Sequence, residues 1–222
     1  MTWTLPLFPL GQVLYPGLLL PLHIFEDRYR QLVHDLMAEP EPRCFGVVAI
    51  REGRETGAEG VSALYQIGCT ATVRQAIEQE DGRFYLITVG SQRFRLAELD
   101  HSEPYLRGKV DILPEDTGDR AAAQRAVRDV QSGFRDYLDA LAERGATKVS
   151  TPDLPDEPVQ LSYLVAASVI ADLHEKQALL AQPDALHRLT TERALLSRES
   201  AMLRSLTSTP APGLRFMPYN PN

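Results

Sequence analysis

Residues 5–29 read LPLFPLGQVLYPGLLLPLHIFEDRY, and the architecture of the chain turns on them. The run is apolar enough to raise the question of a membrane span. Pro6, Pro9, Pro16 and Pro21 break any continuous helix across it, because proline lacks the N–H and clashes with the preceding turn. No basic residue precedes Arg28, so the charged n-region of a signal peptide is missing. The run therefore reads as extended pieces joined by turns. Leu5–Leu10 stops at Gly11, Pro16-Gly17 is a turn signal, and Leu18–Leu22 resumes an extended path. The period then changes. Tyr29, Leu32, Val33, Leu36 and Met37 recur at the spacing of one helical face. Glu26 and Asp27 sit in the first turn, where they suit the helix dipole, and Pro40 and Pro42 end the helix.

Outward from this stretch the pattern stays β-rich to about residue 115. Cys44–Ile50 is a continuous apolar run of strand length, which predicts burial on both faces. Arg51–Gly60, charged and glycine-rich, reads as a loop. Tyr65, Ile67, Cys69, Ala71 and Val73 alternate with polar or small residues, the period of a strand with one buried face. Asp81-Gly82 predicts a hairpin into a strand over Phe84–Val89. Gly90-Ser91 predicts a further turn before a strand over Arg93–Leu99, and Leu106, Val110 and Ile112 mark the last strand. Five or six strands at regular spacing predict a small barrel-like sheet.

The second half is helical. Val127, Val130, Phe134, Tyr137, Leu138 and Leu141 stripe a helix over 119–144, with Gly145 as its C-cap. Pro152, Pro155 and Pro158 mark a linker, Asp156 is placed to cap a helix running to about Ala171, and a short helix covers His174–Ala181. Pro183 opens a long helix to about Leu206. Residues 207–222, with four prolines, read as a tail in which Leu214, Phe216, Met217 and Tyr219 are candidates to dock on the chain itself.

Composition narrows the chemistry. With 23 basic against 30 acidic residues the net charge is −7, which argues against a general nucleic-acid binder. Cys44 and Cys69 are too few for a disulfide scaffold and read as small buried hydrophobes, predicting a soluble protein of a reducing compartment, the cytoplasm. The sequence has no P-loop, no G-x-S-x-G elbow and no S-x-x-K; the only Gly-Lys pair, Gly108-Lys109, lies in a strand. His174-Glu175 begins like a zincin helix, but position 178 is alanine, and the five histidines are scattered. These readings predict no cofactor, no metal and no enzymatic activity. Arg93, Arg95, Arg107 and Lys109 fall at alternate positions of two strands. They make a basic outer sheet face if those strands are neighbours, to be weighed against an ordinary solvated face balanced by Glu98, Glu103 and Asp111.

The order of motifs resembles a known family. Leu5–Leu10, Tyr15-Pro16-Gly17 and Leu20-Pro21-Leu22-His23-Ile24-Phe25-Glu26-Asp27-Arg28-Tyr29 are similar to the start of the Lon protease N-terminal substrate-recognition domain. Phe45-Gly46-Val47, Ile67-Gly68-Cys69, Gly90-x-x-Arg93-Phe94, Pro104-Tyr105 and Gln177-Ala178-Leu179-Leu180 extend the resemblance, with Cys69 where the family usually has threonine. The resemblance implies an α+β fold: an N-terminal β-rich, PUA-like pseudo-barrel with one helix over 1–116, then a helical bundle over 117–206, then the proline-rich tail. It also implies a stand-alone Lon-domain protein, related to the Lon-like domain of cereblon, without the ATPase and Ser-Lys peptidase parts.

The implied function is non-catalytic binding of unfolded or tagged protein segments, as an adaptor or chaperone-like factor working with a protease or chaperone. Docking is expected by a sheet edge or in the groove between sheet and helices. The alternative is small-molecule or nucleic-acid binding through the PUA-like sheet. The candidate peptide contacts are Leu18 and Leu19, read as exposed apolar side chains after the turn with core packing of both as the alternative, together with Arg93 and Arg95. Phe8, Phe25, Tyr29 and Phe94 have the pattern of core aromatics. Glu26 and Arg28 are placed for a helix-end ion pair.

Overall fold

The structure, a computed structural model, describes residues 2–53, 61–143 and 153–207. The predicted C-cap Gly145 and the tail residues beyond 207 lie outside them. The elements run β1 (Thr2–Leu10), β2 (Leu19–Ile24), α1 (Asp27–Ala38), β3 (Cys44–Gly53), β4 (Val61–Leu64), β5 (Ile67–Glu78), β6 (Phe84–Asp100), β7 (Arg107–Ile112), α2 (Arg120–Glu143), α3 (Pro158–Ser168), α4 (Leu173–Leu180) and α5 (Ala185–Thr207).

The strands form one sheet that closes on itself. The order is β1-β7-β6-β5-β3-β4, and β1 also pairs with β3, so β1, β7, β6, β5 and β3 make a ring. The β1–β3 pairing is parallel and the others are antiparallel. Closure removes the edges of the ring strands. β2 stands outside the ring, paired to the first half of β6.

The pleat divides β1 and β3 between two apolar clusters. Phe8, Leu10, Phe45 and Val47 join the buried stripe of α1, Tyr29, Leu32, Val33 and Leu36. Leu5, Leu7 and Val48 join Phe94 and Val110. β6 contributes to both, and the cause is a bulge. Its register to β5 runs Ala71↔Gly90 and then Cys69↔Arg93, three steps on β6 against two on β5. Thr70 fills the gap: its Oγ1 accepts from Gln92 N at 3.0 Å and donates to Gln92 O at 3.2 Å. The extra residue flips the facing of the residues that follow it, up to a second register shift against β7 between Leu96 and Glu98. Phe84 and Leu86 therefore lie in one cluster and Phe94 in the other.

The expected turn at Gly90-Ser91 is thus not a turn. β6 is one strand of 17 residues. Gly90 is required for a different reason: a Cβ there would meet the Tyr15 carbonyl oxygen at 2.2 Å. Gly90 N donates to Leu18 O and Gly90 O accepts from Gly17 N, both at 2.8 Å, so the 15–18 turn is bonded onto the strand at that point. The expected one-sided burial of β5 also fails. Gly68, Cys69, Thr70 and Ala71 are all buried, because β5 packs on both faces before it runs out to solvent at Arg74.

The helices are capped as their sequences allow. Asp119, Asp172 and Asp184 accept from the N–H groups of Ala122, Glu175 and His187. For α3 the cap is Glu157, accepting from Val159 N and Gln160 N, and not Asp156, whose carboxylate instead takes Gln131 Nε2. Arg28 and Glu26 form the expected ion pair, at 2.9 Å. The helices bury their own cluster, including Val127, Phe134, Leu161, Leu189 and Leu196, and the N-terminal loop adds Tyr15 to it.

Candidate functional site

The first half of β6 reads FYLITV, apolar on both faces of the pleat. Phe84, Leu86 and Thr88 are buried; Tyr85, Ile87 and Val89 point the other way, toward solvent. Register brings their neighbours into line. On β2, Leu19 lies opposite Val89, Pro21 opposite Ile87 and His23 opposite Tyr85; on β5, Gln75 lies opposite Ile87 and Ile77 opposite Tyr85. The result is an apolar outer face over β2, β6 and β5. Leu19, Phe25, Ile77, Tyr85 and Ile87 are each 40–69% exposed. The His23 and Tyr85 rings stack at 4.6 Å, and Phe25 continues the row at 6.0 Å from His23. A contiguous exposed apolar patch of this kind marks an interaction surface in soluble proteins.

β2 is also the open edge of the sheet here. The ladder bond from Gly90 N to Leu18 O sets the alternation along the pair, which puts Pro21 at a non-bonded position. Its missing N–H therefore falls on the free edge, the position where proline blunts strand addition.

The four candidate contact residues are not brought together. Leu19, at 69% exposure, is the most exposed member of the apolar face. Leu18 is half-buried against the helical cluster. Arg95 is exposed on the far half of β6, opposite Asp111 of β7. Arg93 is 2% exposed and is not a surface residue at all. The predicted basic face fails with it: Lys109 binds Glu98 at 2.7 Å, so the cross-strand register sets acids against bases. Phe25, read as a core aromatic, is on the surface. His23, Ile77, Tyr85 and Ile87 lie outside the set of contacts predicted from the sequence. The signal that marks them is a strand apolar on both faces next to a proline-bearing edge strand.

Arg93 belongs to the junction between sheet and helices. Its Nε donates to Glu115 Oε1 at 2.9 Å, and Nη1 donates to Leu180 O at 3.0 Å and Gln182 O at 2.5 Å. Arg188 donates from Nε to Leu179 O at 3.0 Å, from Nη1 to Ser162 Oγ and from Nη2 to the Tyr163 hydroxyl. Tyr163 passes its proton-bearing side on to Glu115 Oε2 at 2.6 Å. Two buried arginines thus donate to carbonyls at and just beyond the end of α4, Leu179 O, Leu180 O and Gln182 O, at the negative pole of that helix. Tyr15 OH donates to Lys176 O at 2.8 Å, and Gln177 Nε2 to Ile67 O at 2.7 Å. Burial pushes the Tyr15 and Tyr163 hydroxyls well above the ordinary tyrosine range, so both stay protonated donors.

A groove of about 730 Å³ opens at this junction, lined by Tyr65, Ile67, His174, Gln177, Ala178 and others. It is shallow, and Arg51 is the one arginine or lysine on its wall among the described residues. Among the described residues no group of three or more His, Cys, Asp or Glu could hold a metal ion, and no helix is long and apolar enough to cross a membrane. Cys44 and Cys69 are free thiols, Cys69 buried, with burial raising both above the usual thiol range.

The family model of the ATP-dependent protease La (LON) substrate-binding domain matches residues 4–198. The chain belongs to this family. Relatives include Lon protease 2 of Syntrophobacter fumaroxidans, 28% identical over 176 residues, and Lon protease 2 of Myxococcus xanthus, 28% identical over 202 residues. The alignments cover 78% and 90% of this chain but only 22% and 24% of those proteases, so the chain spans about a quarter of their length. What matches is the substrate-binding domain, not the ATPase or protease domains. Among solved structures, the Lon N-terminal domain protein from Xanthomonas campestris superposes with a TM-score of 0.61 at 24% identity. It covers 88% of this chain and 98% of that one. The N-terminal domain of the Mycobacterium avium complex Lon protease gives 0.64 at 16% identity, with the same coverage. The α+β fold of this LON substrate-binding domain, a closed sheet followed by helices, is that of these structures.

Proposed function

We propose that this LON domain is a non-catalytic recognition module that takes exposed apolar segments of unfolded protein on the outer face of β2, β6 and β5. The observation that carries this reading is the apolar face itself: Leu19, Ile77, Tyr85 and Ile87 open to solvent on adjacent strands, aligned by register, with Phe25 just beyond the end of β2. Family membership supports a protein substrate. The blunted edge at Pro21 favours a segment lying across the face over one added as a further strand. Paired surface charges and the acidic balance of the chain disfavour nucleic acid. The match to Lon proteases is to their substrate-binding domain, so the role proposed for these residues is recognition of a client in the cytoplasm, with hydrolysis left to protease domains outside the matched region.

Titration of a reduced, unfolded model protein tests this. Wild-type binding is expected to be weak and nearly independent of salt, because apolar contact is not screened over the ~10 Å Debye length that limits exposed charges at 0.1 M. Leu19→Asp with Ile87→Asp alters two solvent-facing positions and should leave the fold intact. If each covered side chain contributes about 1 kcal/mol, the double variant binds roughly 10–100-fold more weakly. Unchanged affinity in a folded double variant would move the site elsewhere.

A further inference from the structure

We propose that Lys176 is an acylation site, accepting acyl groups from small activated donors of the acyl-phosphate class. Lys176 lies on α4 where three parts of the molecule meet. Its Nζ donates to Ala166 O and Ala167 O, both at 2.7 Å, the carbonyls of the last turn of α3. Its own carbonyl accepts from Tyr15 OH in the N-terminal loop. A cavity of about 370 Å³ sits between that loop and the α3–α4 connection. Lys176 and its acceptor Ala167 both line it, with Gln12, Val13 and Ala171. Small alanines on the wall leave room for an acyl group.

The bonding pattern suits a nucleophile. An ammonium has three N–H groups, and here two are engaged by carbonyls. Loss of the third proton breaks neither bond and leaves the lone pair unengaged. Among the described residues no carboxylate bonds Nζ, and burial alone lowers its pKa to about 8. Lys109 is the contrast. It is 54% exposed and held by Glu98 at 2.7 Å, and this bond raises its pKa. The third lysine, Lys148, lies outside the described residues.

The step balances without a further reactant. The neutral amine attacks the acyl carbonyl carbon. A C–N bond forms, the C–O bond to phosphate breaks, inorganic phosphate leaves with the electron pair, and the nitrogen loses a proton to solvent. The amide product keeps one N–H and no charge. One of the two α3 carbonyls then loses its partner, and the tether between α3 and α4 beside Tyr15 is weakened.

The test incubates the folded protein with acetyl phosphate at pH 8 and follows occupancy at each lysine by mass spectrometry, with Lys109 as internal reference. An ordinary lysine is under ~1% neutral at that pH, whereas one with a pKa near 8 is about half neutral; allowing for its lower basicity, Lys176 should react on the order of tenfold faster. Its rate should level off above about pH 8, and the preference should vanish in denaturing urea. Equal or slower reaction than Lys109 in the folded protein would overturn the proposal, as would a preference that persists after unfolding.

Discussion

Replacing Arg93 with alanine probes the junction most directly. The guanidinium is 2% exposed and serves Glu115, Leu180 O and Gln182 O. Its removal leaves a partly buried carboxylate with Tyr163 as its remaining described partner, and strips two carbonyls at the end of α4 of their donor. Breaking a buried pair from one side costs about 3–5 kcal/mol, since the orphaned groups cannot recover water. For a chain of this size each kcal/mol is worth roughly 2–4 °C, so the midpoint of thermal unfolding should fall by roughly 6–20 °C. Arg95→Ala, two residues along the same strand, removes an exposed side chain and should change stability by no more than about 0.5 kcal/mol. Arg93→Lys restores the charge but not the planar fork that reaches several acceptors at once, and should recover only part of the loss. Thermal and urea unfolding of the three variants decide the matter. A loss under about 1 kcal/mol for Arg93→Ala, or equal losses for Arg93→Ala and Arg95→Ala, would refute the view that this arginine ties the sheet to the helices.

Glu192 on α5 is 0% exposed, neither carboxylate oxygen has a hydrogen-bond partner among the described residues, and burial holds its pKa well above the ordinary value of 4.5 despite the nearby Arg188. The native state then binds a proton that the unfolded state has released, so stability declines from about pH 4.5 upward, by up to about 1.4 kcal/mol per unit until the folded group ionises. Glu192→Gln should flatten that slope in urea titrations across pH; an unchanged slope would show that another group sets it. Gly90→Ala should destabilise, because its Cβ would meet the Tyr15 carbonyl at 2.2 Å, whereas Gly133→Ala, with nothing nearer than 3.9 Å inside α2, should stabilise by about 0.5–1 kcal/mol in thermal melts. Tyr15→Phe deletes the donor to Lys176 O and should cost about 1 kcal/mol, seen as faster amide exchange in the 11–18 loop and α4.

Local periodicity by itself determined the helix over 27–38, the strands flanking Asp81-Gly82 and the helical second half, because these follow from which side chains recur on one face. The motif order through residues 5–29 sufficed to suggest the family. The site was less legible. Tyr85 and Ile87 carry the same apolar signal as buried Phe84 and Leu86, and they form a surface because no described residue packs above them. Phe25 looked like core for the same reason. Arg93 and Arg95 have the same spacing and chemistry, yet the end of α4, more than 80 residues away in sequence, covers one and leaves the other in water. Gly90 signals a turn locally, but the approaching Tyr15 carbonyl and the bulge opposite Thr70 make it a strand residue. Local sequence sets facing and period; what lies over each face is decided by pairing and packing between distant segments, and burial depends on that cover.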